Sequence, residues 1–584
     1  MAEKKRLIGL LLEDIFTDFS KEIIQSVEKA IPYEKNIRLA VISGKYIDSS
    51  SSDINSGIYK SVYNSVYRLA VDGELEGVIV HLGSIDESRE RMIKEGWFTR
   101  FDKIPKVLIS SNLEGCVTVN YDNEPGIREA LGYIINVNGI TNLCMLGGRD
   151  DNFEARSRKR IFIECLKEHG IMFRPKMFEA TDMSINTEEA AGRLLDRNPR
   201  VGAVFCVNDS SAVGLYKAMA KRGLVPGKDI LVFGFDNTRM AGEMKPPLSS
   251  VGADNITLGQ RAVEMLLGMI NGEEVRSTYI PTRLYGRLSF PYESNSFNVQ
   301  DLLRVDRSFI YRTFDDCFYR LKGEYTDREN VDLRRLFYEI ISRMITAMNR
   351  RYVSMEEFGE IGRLIDIFFD KGAMEYTDPL RMLDTINRLQ NNMVIMQKRF
   401  SLDANVFINR LFLRMKDRTV YALSDKNIND RKRVADDRER IRDFVVKATE
   451  PVGGSDHALK SVFGNFDMLG MRNTALFMYD EPVVYREDAE VHFPDHIKLC
   501  CAVKDGVLYQ LPAERQDCTI SRMLMREELS SRCRGFVILP VFFRHFIYGI
   551  LICELTDDIY DRGEFIALML GRTLFLDLSD DTRK

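Results

Sequence analysis

Side chains able to donate and accept hydrogen bonds stand just past the ends of several short apolar runs in the first half of this 584-residue chain. Glu13, Asp14, Phe16 and Phe19 follow RLIGLLL (6–12). The segment RDDNFEARSRKR (149–160) follows NLCMLGG. Asn208-Asp209 follows AVFCV, and Asp236-Asn237 follows ILVFGF. Arg donates, Asp accepts and Asn does both. With aromatic faces nearby, such a set suits a polyhydroxylated ligand such as a sugar. The residue patterns of catalysis are missing. There is no GxxxxGK[ST] phosphate loop and no GxSxG elbow. His492 and His496 are spaced HxxxH, but Pro494 between them keeps them off one helical face. The ten cysteines are scattered without a CxxC pair, so neither a zinc site nor a disulfide scaffold is expected. The reading is of a protein that is not an enzyme and has no cofactor and no metal.

The elements that must position those side chains are legible. RLIGLLL, IRLAVIS (37–43), GVIVHLG (77–83), KVLISS (106–111), NLCMLGG (142–148), AVFCVN (203–208) and ILVFGFD (230–236) are continuous apolar runs. Amphipathic helical patterns such as SKEIIQSVEKA (20–30) separate them. That alternation predicts parallel sheets covered on both faces. About 285 residues is too long for one such layer, so two α/β lobes with a cleft between them are expected over 1–292. In open α/β sheets ligands bind beyond the carboxyl ends of the strands, where the polar residues above lie. Lys4-Lys5-Arg6 precedes only six apolar residues before Glu13, which reads as a buried strand rather than an export signal. No run of about 18 apolar residues occurs. A cytoplasmic protein without a membrane partner is expected. The net charge of −5 argues against a chain built to coat nucleic acid.

The segment NDSSAVGLYKAMAKRGLVPGKDILVFGFDNTRMAGEMKPPLSSV (208–251) resembles the effector-binding core of LacI-type transcription regulators, a periplasmic-binding-protein-like fold. NITLGQRAVEMLLGMINGEE (255–274) and VNYDNEPGIREALGYI (119–134) resemble flanking segments of the same domain. The resemblance implies effector contacts at Arg158, Asn208 and Asp236, with Asp14 and Phe19 where the family has first-loop contacts. Asn208 and Asp236 also suit capping of the following helices, and Asp209 and Asp122 are read as caps. Ile161 stands where the family usually has glycine, so the effector is not named. Only five residues precede Arg6, too few for the family's helix-turn-helix, so a sensor without that DNA reader is expected.

SNSFNVQ (294–300) reads as a polar linker. Residues 296–435 then carry apolar positions at helical spacing, including Leu333, Leu336, Phe337, Ile340, Ile341, Met344 and Ile345, and are read as an all-α connector. RKRVADDRERIRD (431–443) interleaves acids with bases and reads as a solvated helix. Residues 436–584 are read as a separate α+β module. A hairpin is expected at Lys504-Asp505-Gly506 and a second pair of strands at 535–555. The latter pair resembles the closing hairpin of GAF-type domains, without the signature of the cyclic-nucleotide binders. Arg562-Gly563-Glu564-Phe565 resembles the signature of diguanylate cyclases, but it opens an apolar helix and is read as coincidence. The resulting expectation is a ligand-sensing regulator of transcription or signalling that binds a sugar-like effector and forms a homodimer. It would pass the change through the connector to a downstream partner or output domain. Alternatives are an enzyme with its active site in the C-terminal module, and a direct DNA-binding regulator using an unrecognised element in 300–440.

Overall fold

The computed structural model describes residues 6–32, 36–45, 59, 62–68, 75–81, 103–111, 113–150, 152–253, 255–290, 292, 304–318, 328–350, 354–377, 379–397, 402–449, 463–464, 466, 469–486, 493–509, 511–526 and 533–581. The expected linker 294–300 and His492 lie outside them. Among the described residues no helix is long and apolar enough to cross a membrane.

The chain opens with β1 (Arg6–Leu12), an apolar strand buried along nearly its whole length. Asp14 accepts from the backbone of Phe16 and Thr17, turning the chain. Thr17 then caps α1 (Asp18–Ala30). β2 (Ile37–Ser43), β3 (Gly77–His81), β4 (Lys106–Ile109) and β5 (Val117–Asp122) complete the parallel order β5-β4-β3-β1-β2 of the first lobe. The chain crosses into the second lobe through α2 (Glu124–Asn136), then runs β6 (Leu143–Gly147), α3 (Phe153–Glu168), β7 (Phe178–Ala180), α4 (Glu188–Arg197), β8 (Ala203–Cys206), α5 (Asp209–Ala220), β9 (Leu231–Phe235), α6 (Arg239–Glu243) and β10 (Ser249–Gly252). It returns through α7 (Asn255–Ile270) and β11 (Thr278–Pro281), which pairs with β5, and crosses again to β12 (Arg283–Tyr285), which pairs with β10. The second lobe is a six-stranded sheet, β12-β10-β9-β8-β6-β7, with its own hydrophobic core. The two α/β lobes predicted for the first half are present.

Two compact units divide the chain: residues 1–292 with 439–584, and residues 293–438. The second unit is helical: α8 (Arg307–Cys317), α9 (Arg328–Arg350), α10 (Met355–Asp370), α11 (Pro379–Gln397) and the start of α12 (Leu402–Thr449). Six of the seven residues of the predicted stripe, Leu333 to Ile345, are in its core, and Leu336 packs against them.

The C-terminal segment departs from the expectation of a separate module. β13 (Thr474–Val484), β14 (His496–Lys504), β15 (Val507–Tyr509), β16 (Asp517–Thr519), α13 (Ile520–Met523), β17 (Gly535–Phe543), β18 (Phe546–Glu554) and α14 (Asp557–Asp581) form an antiparallel meander with a covering helix. The expected hairpin sits at Asp505-Gly506, both at positive φ. Yet β17 pairs in parallel with β2, with Val537 opposite Val41. The first lobe and the C-terminal segment therefore share one twelve-stranded sheet and one hydrophobic core. The physical reason lies in β2 and β17 themselves. All of β2 and nearly all of β17 are buried, so neither has a solvent edge to end a sheet. The RGEF segment lies inside α14 rather than at its opening, because the acids Asp557 and Asp558 start the helix more than a turn earlier.

Candidate functional site

The polar residues past the strand ends fall into two groups. In the second lobe, Asn152 caps α3 and accepts from Ala155 N, which sets the helix so that Arg158 lies one turn further in. Arg158 is 2% exposed. Its guanidinium lies 3.5 Å from the centre of the Phe235 ring, a stacking geometry open to Arg rather than Lys. Its Nη1 donates to Val207 O at 2.7 Å, and its Nε reaches Asn123 Oδ1 at 3.4 Å. Its Nη2 stands 3.4 Å from Asp236 Oδ1 and 3.7 Å from Glu154 Oε2. Asn123, where the chain crosses between the lobes, donates to Glu154 Oε2 at 2.6 Å.

Asp236 follows β9 with φ of 95° and Asn237 with φ of 51°. Two successive left-handed residues turn the chain sharply at the strand end, and Asp and Asn tolerate this better than most residues. Arg287 donates to Asn237 Oδ1 at 2.7 Å. Burial raises the Asp236 carboxyl above its ordinary range, against the pull of Arg158. Glu154 is raised in the same way, with Arg158 and Asn123 opposing and Asp236 adding to the rise. Tyr121, at the end of β5, is buried near all three, and its hydroxyl is held well above its usual range by burial and then by Asp236 and Glu154.

Asn208 is close in sequence to this cluster but is used as a cap. Its Oδ1 accepts from Ser211 N at 2.9 Å and Ser211 Oγ at 2.6 Å, and its Nδ2 donates to Met183 O at 2.8 Å. Asp209 is fully buried and ties together the turns after β9 and at β10. It accepts from Thr238 N at 2.8 Å, Thr238 Oγ1 at 3.0 Å and Ser250 Oγ at 2.6 Å. Burial, then the neighbouring Asp236 carboxylate, pushes Asp209 up to about 7, while Ser250, Thr238 and Arg287 oppose.

In the first lobe, Asp14 spends its Oδ1 on Phe16 N, Thr17 N and Thr17 Oγ1. Phe19 packs on the first-lobe core with its ring 5.2 Å from that of His81, at the end of β3. His81 is buried and its imidazole is pushed down to about 4 by that burial. Arg158 and Asp236 thus stand together, Asn208 caps the helix beside them, and the described contacts of Asp14 and Phe19 lie within the first lobe. Glu154, Asn123 and Tyr121 belong to the cluster and were not singled out by sequence. The available signal was Glu154 one turn before Arg158, a spacing that places both on one helix face. Ile161, at the departure from the family pattern, is in the second-lobe core. Among the described residues no group of three or more His, Cys, Asp or Glu is placed to hold a metal ion.

Residues 136–290 match the family of periplasmic binding protein-like domains. The chain is 26% identical over 275 residues to the HTH-type transcriptional repressor PurR of Vibrio vulnificus, covering 46% of this chain and 76% of that protein. It is 26% identical over 297 residues to catabolite control protein A of Priestia megaterium, covering 49% and 82%. Among solved structures, a sugar-binding transcriptional regulator (LacI family) from Enterococcus faecalis is 22% identical with a TM-score of 0.40, covering 50% of this chain and 100% of that one. Residues 136–290 are therefore a periplasmic-binding-protein-like domain, and about half of the chain is similar to transcription regulators.

Proposed function

We propose that the chain is a ligand-sensing regulator of transcription whose effector binds beside Arg158 and Asp236, at the carboxyl ends of the second-lobe strands. The observation that carries this reading is the Arg158 guanidinium, fixed on Phe235 and 3.4 Å from the Asp236 carboxylate. A rigid donor fork next to a carboxylate can grip neighbouring hydroxyls, one as donor and one as acceptor. The same cluster narrows the chemistry. Glu154 and Asp236 crowd Arg158, and Asp209, with Arg287 beside it, adds a third buried carboxyl next to Asp236. An anionic ligand would meet this surplus of carboxylates. A neutral or amine-bearing polyol would supply donors to Asp236 and Glu154, which Arg158 reaches only at 3.4 and 3.7 Å. The similarity to transcription regulators supports a regulatory role, and the meander of 474–554 supports a GAF-like reading of the C-terminal segment.

Calorimetric titration of the full chain with neutral, amino and phosphorylated forms of common sugars tests this. The expected result is binding of a neutral or amino form, weakened by roughly 1.5–3 kcal/mol in Asp236→Ala, the range for hydrogen bonds to a charged group. A bound sugar insensitive to Asp236→Ala places the effector elsewhere.

A further inference from the structure

We infer that residues 439–584 are a built-in part of the first lobe, so that the first lobe and the C-terminal segment move and unfold as one body against the second lobe. The argument starts at β2. One edge of this strand pairs with β1 and the other with β17, in a parallel register that sets Leu39 opposite Gly535 and Ile42 opposite Ile538. Leu39 N donates to Arg534 O at 2.8 Å, extending the ladder by one bond. Ile8, Leu10, Leu39 and Val41 of the first lobe belong to the same core as Leu476, Phe536, Ile538, Ile552 and Leu570 of the C-terminal segment. The second lobe keeps a separate core.

Side chains of α14 then fasten it to α1 and to segments that follow the first-lobe strands. Lys21 meets Asp561 at 2.7 Å. Glu564 accepts from Lys45 Nζ and from Tyr59 Oη, each at 2.5 Å. Phe542 packs against both Tyr59 and Tyr63. Lys45 follows β2, and its ammonium lies 4.7 Å from the centre of the half-exposed Phe16 ring, in the loop after β1. Lys21 of α1, Lys45 just past β2 and Tyr59 are therefore held by the C-terminal helix. Between the lobes, by contrast, the chain crosses three times, at Asp122–Glu124, Gly252–Asn255 and Pro281–Arg283. A two-lobed domain that closes does so about such crossings. Resting on the proposed effector site, the consequence is that closure displaces the second lobe relative to a fixed first lobe and C-terminal segment.

Native-state hydrogen exchange of the full chain in graded urea tests the inference without any effector, so the absence of a binding sugar does not affect it. Amides of β1, β2, β17 and β18 are expected to share one opening free energy and one urea slope, distinct from those of β6, β8 and β9. Different slopes for β2 and β17 overturn it. The variant Val537→Asp places a carboxylate in the shared core. It is expected to raise exchange in β1 and β2 at least tenfold along with β17 and β18. Unchanged protection in β1 and β2, with loss confined to the C-terminal strands, overturns the inference as well.

Discussion

Arg158 is shared by more acceptors than it can fully serve. Its Nη2 faces both Glu154 and Asp236, and neither separation, 3.7 or 3.4 Å, is a tight contact. The two partners are therefore unequal to the arginine in what their loss does. Replacing Arg158 by alanine strands two buried carboxylates and empties the face of Phe235. Removing one partner from a buried pair costs on the order of 3–5 kcal/mol. Asp236→Ala leaves Arg158 with Glu154 and relieves the repulsion on Asp209, so its stability should change by less than about 1 kcal/mol. Urea unfolding of the two variants checks this, and equal losses would mean that Asp236 holds the fold rather than awaiting a ligand. The same cluster shows what a sequence displays at this scale. Arg158 and Asp236 were legible because each follows an apolar strand and matches a family pattern. Glu154 and Asn123 were not, because a glutamate in a charged helix and an asparagine before Glu-Pro read as solvated or capping residues. Only the crossing of the chain brings Asn123 to 2.6 Å from Glu154. Asn208 was legible as either contact or cap; its Oδ1 makes the cap bond to Ser211 N, while its Nδ2 holds Met183 O.

Strands, more than helices, decide where the C-terminal segment belongs. A meander with one wet face should alternate apolar and polar residues. GFVILPVFF and FIYGILICE do not alternate, and both strands are buried almost throughout. That pattern belongs to the middle of a sheet, yet nothing in it names the first-lobe strand β2 as the neighbour some 500 residues away. Pairings so distant leave no local sequence signal. The helix α14 covers this seam closely. A Cβ on Gly571 would lie 2.1 Å from Phe542 O and 2.5 Å from its carbonyl carbon. These are backbone atoms of β17 and cannot rotate away. Gly571→Ala gains up to about 1 kcal/mol of helix propensity, but forcing the helix off the strand costs roughly 1–3 kcal/mol, so a net loss is expected. Gly359, on α10, has nothing within 4 Å of such a Cβ. There the alanine should stabilise by roughly 0.5–1 kcal/mol. Urea midpoints of the two variants should move in opposite directions. A stabilised Gly571→Ala would show that α14 does not press on β17 in solution.

At the scale of the molecule, the two lobes bury titratable groups whose shifts pull their stability in opposite directions with pH. His81, inside the first lobe, is pushed from 6.5 to about 4. Between those values the unfolded chain binds a proton that the folded lobe does not. Stability of the first lobe is therefore present above about 6.5 and is lost as pH falls toward 4. Asp209, inside the second lobe, is pushed from 3.8 to about 7. Here the folded lobe holds the proton that the unfolded chain releases, so stability is present at low pH and is lost as pH rises through about 7. The raised Asp236 and Glu154 carboxyls add to that loss with the same sign. At about 1.4 kcal/mol per pKa unit, the swing is on the order of 3 kcal/mol for His81 and 4–5 kcal/mol for Asp209. Because the C-terminal segment shares the first-lobe core, its stability should follow the first lobe. Opening free energies from hydrogen exchange at pH 5 and pH 8 provide the check. Moving from pH 8 to pH 5 should weaken β3 and β17 relative to β8 and β9. Substituting His81 by phenylalanine should flatten the first-lobe dependence and leave the second-lobe dependence intact. A uniform pH response across all four strands would mean that neither buried group governs its lobe.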